Sequence, residues 1–321
     1  NHRADRQRCG FQLQLTPDKK HVSMSTLKEI RSRINSVKST RKITSAMKMV
    51  AAAKLKRAQD AVLYLRPYQE KQQEILVDLL RSLEGEEVES KYVRNGEDQK
   101  EEKVLLVVVT SNKGLCGGFN SNIIKKSLEL TQTKYSSQYN RQNLSFYTIG
   151  RKGTEFFRGK GYPLYDYNDE LLDDISFANA MPVIQTLMSA FTTREFDKIE
   201  IVYNKFKNAA VQLLTVDQFL PVDLNVNGDQ EPAAEHMNYI FEPSRKDIIR
   251  DLIPATLRTQ LYEALLESLA AEHGARMTSM HTATDNADKL IRELRLNYNK
   301  ARQAAITSEI NEVVSGAEAL K

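Results

Sequence analysis

Tryptophan is absent from these 321 residues, cysteine occurs only twice, and aromatic residues make up 7% of the chain. Two cysteines, Cys9 and Cys116, cannot form a disulfide framework or a thiolate metal cluster, and their use fits a reducing compartment. The five histidines (His2, His21, His236, His273 and His281) form no ligand motif. His273 and His281 stand too far apart on a helix for paired ligation. No histidine lies near Cys116 in sequence, which argues against a thiol nucleophile. The longest apolar run, Val104 to Val109, is far too short to span a bilayer. Metal chemistry, covalent catalysis and membrane spanning all lack a sequence signal.

Glycine and proline are scarce at the two ends of the chain. Residues Leu27 to Leu83 and Asp247 to Ala319 carry helical periodicity almost without either. At 1.5 Å per residue these spans would measure roughly 85 and 110 Å as single helices. Helices of that length must pair with each other or with a partner. From Leu27, a heptad reading places Leu27, Ile34, Arg41, Lys48, Leu55, Val62, Gln69, Leu76 and Leu83 at one seam position. Its companion holds Ile30, Val37, Thr44, Ala51, Ala58, Leu65, Gln72 and Leu79. This is a coiled-coil seam with a polar break near Arg41 to Lys48, and Pro67 is expected to bend the helix. The second span offers Ala283, Ala287, Leu290, Leu294, Asn297, Ala301 and Ala304 as a small-residue seam, with Asn297 fixing register. Pro254 marks a helix start or bend, and Ser244 is a candidate cap.

Charge is distributed unevenly. Lys28, Arg31, Arg33, Lys38, Arg41, Lys42, Lys48, Lys54, Lys56 and Arg57 face a single acid, Glu29, over the same stretch. Such a run repels itself on an isolated helix and calls for an acidic partner. Without interleaved aromatics to stack bases, nucleic acid is the weaker candidate.

The middle of the chain reads differently. Glu84 to Lys103 is a charged linker, followed by the buried-strand run Val104 to Thr110. Leu144 to Ile149, Ile199 to Tyr203 and Val211 to Val216 are further strand candidates, with helices around Ser121 to Gln132, Gly153 to Arg158 and Ala178 to Thr193. The alternation predicts an α/β domain with a mostly parallel sheet, and Asn225 to Asn238 reads as a loop. The turn Ser111-Asn-Lys-Gly-Leu-Cys-Gly-Gly-Phe-Asn120 follows a strand and precedes a helix, where glycine-rich turns can cradle phosphate. Its spacing matches neither the P-loop nor the dinucleotide fingerprint, so a tight turn or a backbone contact with a partner is the better reading.

Three segments carry a family resemblance: Ile34-Asn-Ser-Val-Lys-Ser-Thr-Arg-Lys-Ile-Thr-Ser-Ala-Met-Lys-Met-Val-Ala-Ala-Ala-Lys54, Ser111 to Gly118, and Glu272-His-Gly-Ala-Arg-Met-Thr-Ser-Met280 with its continuation through Ala283 to Ala287, Tyr298 to Glu309 and Val314 to Ala317. In this order the chain resembles the γ subunits of F-type ATP synthases over nearly all residues after Met24. The resemblance implies a fold of two long terminal helices wound as an antiparallel coiled coil on a Rossmann-like α/β base. It divides the chain into an extension (1–23), an N-terminal helix (24–84), a linker (85–103), the base (104–243) and a C-terminal helix (244–321). It implies a non-catalytic rotor shaft without a cofactor, metal or small-molecule substrate, driven by the membrane c-ring and acting on the catalytic β subunits.

By the same resemblance, Met47, Lys48, Lys54, Arg276, Gln303 and Thr307 would contact the α and β subunits, whose acidic loops answer the basic helix. Tyr239, Phe241 and Glu242 would sit on the c-ring, while Gly114, Cys116, Gly117 and Gly118 would shape the base where the ε subunit docks. The chloroplast type's redox insert is missing, and the bacterial wording of Ile34 to Lys54 implies the cytoplasmic face of a bacterial inner membrane. Met24 is the expected natural start. A nucleotide-binding α/β protein and a basic coiled-coil adaptor for nucleic acid are the alternative readings.

Overall fold

The computed structural model describes residues 27–81, 90–93, 102–222, 242 and 244–319. The expected extension 1–23, the loop 225–238, and Tyr239 and Phe241 lie outside the described residues. The chain forms two compact units: residues 40–286, and residues 1–39 together with 287–321. Two long helices, α1 (Leu27–Arg81) and α6 (Arg245–Glu318), contribute to both units.

The larger unit is built on a five-stranded sheet. In chain order it contains β1 (Val104–Val109), α2 (Phe119–Gln132), α3 (Ser136–Asn140), β2 (Leu144–Ile149), α4 (Arg151–Gly159), β3 (Leu164–Asn168), α5 (Phe177–Thr192), β4 (Lys198–Phe206) and β5 (Gln212–Leu220). The spatial order is β3-β2-β1-β4-β5. The first four strands run parallel, while β5 returns antiparallel to β4. This is the doubly wound strand order with an antiparallel edge, in agreement with the expected α/β class.

Strand β1 is apolar throughout because both of its faces are covered, the normal condition of a central parallel strand. Leu105, Val107 and Val109 point into a core with Ile184, Leu187 and Phe191 of α5 and Ile253, Leu257 and Leu261 of α6. Val104, Leu106 and Val108 point the other way, toward Phe119 and Ile123 of α2, Phe157 of α4, and Ala271 and Ala275 of α6. Leu76 and Leu79 of α1 join the first core, as do Tyr92 and Val93. The last two residues correct the reading of 85–103 as linker. Tyr92 accepts a 2.9 Å backbone hydrogen bond from Val222, so this piece is fastened to the end of β5.

The helices and the edge strand add detail that the sequence left open. Helix α1 continues through Pro67, which is exposed, and α6 continues through Pro254. Strand β3 was not expected from sequence because Leu-Tyr-Asp-Tyr-Asn has no apolar alternation. It is an edge strand with three exposed central residues. Ser244 stands just before α6 and its hydroxyl accepts the Asp247 amide proton at 3.2 Å, so it caps this helix.

Within the larger unit α1 and α6 are antiparallel. Thr44 bonds Thr284 at 2.9 Å, Lys48 Nζ lies 3.4 Å from His281 Nδ1, and Arg66 reaches Glu267 at 2.7 Å. Ala51, Leu55, Ala58 and Val62 are buried along this seam, as the heptad reading predicts. In the smaller unit Ile30, Ile34 and Leu294 form a cluster flanked by Val37, Tyr298 and Ala301. The C-terminal seam uses Ala287, Ile291 and Leu294; Leu290 and Asn297 point outward and Ala304 is exposed, so Asn297 does not set register.

Gly150 joins β2 to α4 at φ +103, and a Cβ there would lie 2.4 Å from the Thr110 carbonyl oxygen. Neither the backbone angle nor that oxygen can yield cheaply. Gly150→Ala is expected to cost about 2–4 kcal/mol in urea unfolding. A loss below about 1 kcal/mol would show that the junction relaxes.

Candidate functional site

The glycine-rich turn between β1 and α2 is closed by its own side chains. Ser111 donates its backbone N–H to Asn120 Oδ1 at 2.9 Å, and its hydroxyl donates to the Lys113 carbonyl at 2.7 Å. Asn120 Nδ2 donates back to Ser111 Oγ at 2.8 Å and lies 3.3 Å from Cys116 Sγ. Cys116 is therefore a buried packing residue. Gly117 adopts φ +61, and a Cβ there would lie 2.7 Å from Ser279 Oγ on α6. Gly114 has open space around it, and Gly118 stands at the N-terminus of α2. The four residues expected to shape the base thus lie in one turn, which packs against α6.

Arg276 of α6 fastens that turn. Its Nη2 donates to the carbonyls of Lys113 (2.9 Å) and Gly114 (3.4 Å), while Nη1 pairs with Glu272 Oε1 at 2.6 Å. Nη1 also lies 3.3 Å from His273 Nδ1. The guanidinium can only donate, so Nδ1 accepts and the imidazole proton sits on Nε2. Burial, then the charges of Arg276 and Lys54, push the His273 pKa down to about 4, and the ring is neutral at pH 7. Burial pushes Glu272 upward, opposed by Arg276. A phosphate cradle presents N–H groups, whereas this turn offers carbonyls to a cation and uses the Ser111 amide internally.

Lys54 and Arg57 of α1, Lys113 of the turn, and Glu272, His273 and Arg276 of α6 surround an open cleft of about 410 Å³, with Asp173 and Asp174 on the far wall. Met47 and Lys48 are half-buried, and Lys54 is exposed. Around Met47 the apolar residues Ile43, Met49 and Val50 are 60%, 65% and 59% exposed. Of the ten basic residues between Lys28 and Arg57, all but Lys48 are exposed. The larger unit thus brings Met47, Lys48, Lys54 and Arg276 onto its paired helices, although Arg276 is occupied by partners within the chain. In the smaller unit Gln303 and Thr307 are exposed on one helical face, with the Thr307 hydroxyl donating to the Gln303 carbonyl at 2.9 Å. Glu242 is exposed.

Sequence reading missed the buried carboxylate of Glu267. It accepts from Arg66 Nη2 at 2.7 Å and from the Phe206 amide at 2.9 Å. A glutamate inside an apolar helical stretch was its only signal.

The ATP synthase family, described as ATP synthase, matches residues 26–320. The chain is 48% identical over 297 residues to the ATP synthase gamma chain of Christiangramia forsetii and 49% identical over 297 residues to that of Flavobacterium johnsoniae. Each match covers 92% of this chain and 99% of the relative. Among solved structures, a chain of the Euglena gracilis mitochondrial ATP synthase is similar with a TM-score of 0.63 at 20% identity, covering 92% of this chain and 94% of that one. A chain of the Tetrahymena thermophila mitochondrial central stalk and c-ring structure gives 0.56 at 24% identity, covering 75% and 99%. Both share the fold.

His273 gives a pH test. Its pKa falls from 6.5 in the unfolded chain to about 4 in the fold, so the unfolded chain binds the proton first as pH drops. Its stabilisation is complete above pH 6.5 and is lost between 6.5 and 4. His273→Gln is expected to remove about 1–3 kcal/mol of that acid-limb loss. Urea midpoints at pH 7, 5 and 4 check this, and equal slopes in wild type and variant would refute it.

Proposed function

The chain belongs to the ATP synthase gamma-chain family, and from that premise we propose that it is the central rotor shaft of a proton-translocating ATP synthase. The c-ring turns the base of the shaft, and the paired helices α1 and α6 turn with it inside the ring of α and β subunits. Each β subunit meets a changing face of the shaft and changes its nucleotide affinity in turn. Physically, the shaft is an effector whose contacts differ among the β conformations. It supplies no catalytic group and works at the cytoplasmic face of a bacterial inner membrane, with the ε subunit docked on its base near Gly114 to Gly118.

The observation that carries this reading is the match to gamma chains along residues 26–320, together with the antiparallel α1–α6 pair it contains. The exposed cations of α1 supply the complement to acidic loops on β. Met47, Lys48 and Lys54 form one contact zone for α and β, and Gln303 and Thr307 form another. Arg276 supports the first zone by holding the turn to α6, because its guanidinium is already bonded. Glu242, with Tyr239 and Phe241, is the proposed c-ring contact.

Reconstitution tests the proposal. Mixing the chain with bacterial α and β subunits is expected to give a stoichiometric complex whose ATPase activity depends on the chain. A chain that stays apart and leaves activity unchanged would overturn it.

Met47→Lys tests the contact zone itself. Met47 is half-buried beside the exposed Ile43, Met49 and Val50, and the substitution places a long cation on that apolar surface. The complex is expected to assemble but to pump fewer protons per ATP hydrolysed in inverted vesicles. Unchanged pumping per ATP would remove Met47 from the zone.

A further inference from the structure

The glycine-rich turn is no phosphate cradle, but the cleft beside it has a different chemistry. That cleft, of about 410 Å³, lies within the larger unit and is walled by α1, the turn, the segment after β3, and α6. Three cations reach it: Lys54 and Arg57 of α1 and Lys113 of the turn. Each is exposed, and none makes a hydrogen bond or an ion pair through its charged end among the described residues. Taken singly they are ordinary solvated side chains. What distinguishes the cleft is that they converge with a buried donor.

That donor is His273. It is only 8% exposed, and it lines the cleft. Arg276 holds its Nδ1 as an acceptor at 3.3 Å, so the ring proton is on Nε2. Nε2 has no partner among the described residues, yet it is not shut off from solvent as the buried unpaired atoms of this chain are. A polar group this deeply buried usually has a fixed partner. Here the acceptor has to come from within the cleft.

The charge balance says what kind of acceptor fits. Arg276 and Glu272 pair at 2.6 Å and cancel. Beyond the effect of burial, the charges acting on Glu272 are Arg276, Lys54 and Lys113, and those acting on His273 are Arg276 and Lys54. Asp173 and Asp174 are not among them. They stand on the far wall, and Asp174 Oδ2 accepts from Asn179 Nδ2 at 3.2 Å. The helical side of the cleft is thus electropositive, and a neutral or cationic ligand would leave that charge unanswered. Its donors stand on three separate elements, α1, the turn and α6. A tetrahedral oxyanion, with oxygens pointing several ways, matches that arrangement better than a planar carboxylate.

We propose that the cleft binds a phosphoryl group, its oxygens held by Lys54, Arg57 and Lys113 and by the Nε2–H of His273. The group is phosphate itself or the end of a phosphorylated compound whose remainder lies along Leu172, Ile175 and Leu269. Occupancy neutralises part of the cation run that the rotor reading sets against acidic loops. That consequence rests on the rotor reading, whereas binding is a property of this chain alone.

The test is titration of the full chain with sodium phosphate, and separately with glycerol 3-phosphate, at neutral pH and constant ionic strength. Nitrogen-15 signals of the histidine rings supply the readout. The His273 signal, assigned by its loss in His273→Gln, is expected to move along one saturation curve. The signal of His281, which is exposed beside Lys48, should stay still. This comparison in the wild-type chain does not depend on any variant folding. Lys113→Ala and Arg57→Ala should each weaken binding at least about tenfold, the loss of a charge-assisted hydrogen bond. Lys160→Ala, at the exposed end of α4, should leave it unchanged. Tighter binding of phosphate would assign the free ion, and tighter binding of the ester a phosphorylated compound; either supports the site. The proposal is overturned if neither compound binds saturably, if sodium chloride moves the His273 signal equally, if His281 moves along with His273, or if binding survives Lys113→Ala and Arg57→Ala together.

Discussion

A carboxylate hidden from solvent joins the helical pair to the sheet. Glu267 sits in the buried face of α6 and divides its two oxygens between the Arg66 guanidinium of α1 and the Phe206 amide of β4. A buried charge is tolerable only when it is paired and hydrogen-bonded, and removing one partner from such a group typically costs about 3–5 kcal/mol. Hydrophobic contact alone would let α1 and α6 slide against each other and against the strands, because apolar burial has little directional preference. Glu267 fixes the depth of each helix against the end of β4. The small residues around it, Ala58 and Ala270, let the backbones approach closely enough for Arg66 to reach. Farther along the same pair, Thr44 bonded to Thr284 repeats the device with neutral groups.

The second joint lies at the glycine-rich turn, and its chemistry is the reverse of a phosphate site. Arg276 offers donors to two carbonyls, and Glu272 neutralises the guanidinium. Gly117 permits the close approach to Ser279 that puts those carbonyls within reach. A side chain that the sequence resemblance led one to expect at a subunit contact is thus committed within the chain. In the rotor reading it acts on the partner through the shape of the turn.

Much of this was legible in the sequence, for identifiable reasons. β1 and β2 are found where the apolar runs put them, because strands covered on both faces must be apolar. The α1 seam is legible because Ala51, Leu55, Ala58 and Val62 keep a strict heptad beside one partner helix. Legibility failed where another constraint replaced periodicity. β3 is a polar edge strand held by backbone pairing to β2, so its side chains carry no pattern. Ile291 and Tyr298 displaced Leu290 and Asn297 from the C-terminal seam, since spacings of three and four fit either set. Pro67 stays within its helix on an exposed face, where the missing amide bond is least costly. The roles of Arg66, Glu267 and Arg276 depend on atoms far apart in sequence, and no local pattern announces them.

The smaller unit shows a different surface logic. Leu296, Ile306, Ile310, Val313 and Val314 of α6 are 62%, 47%, 57%, 72% and 50% exposed. Isolated helices gain little from their own hydrogen bonds, and an apolar surface of this extent calls for a cover. A shaft must be held in place yet free to turn. Directional hydrogen bonds would create deep minima at fixed angles, whereas apolar contact and diffuse charge attraction vary slowly with rotation. The exposed apolar residues here and the exposed cations of α1 both offer interactions of the second kind. The strong directional bonds, at Glu267 and Arg276, are kept inside the chain, where they resist twisting of the shaft without hindering its rotation.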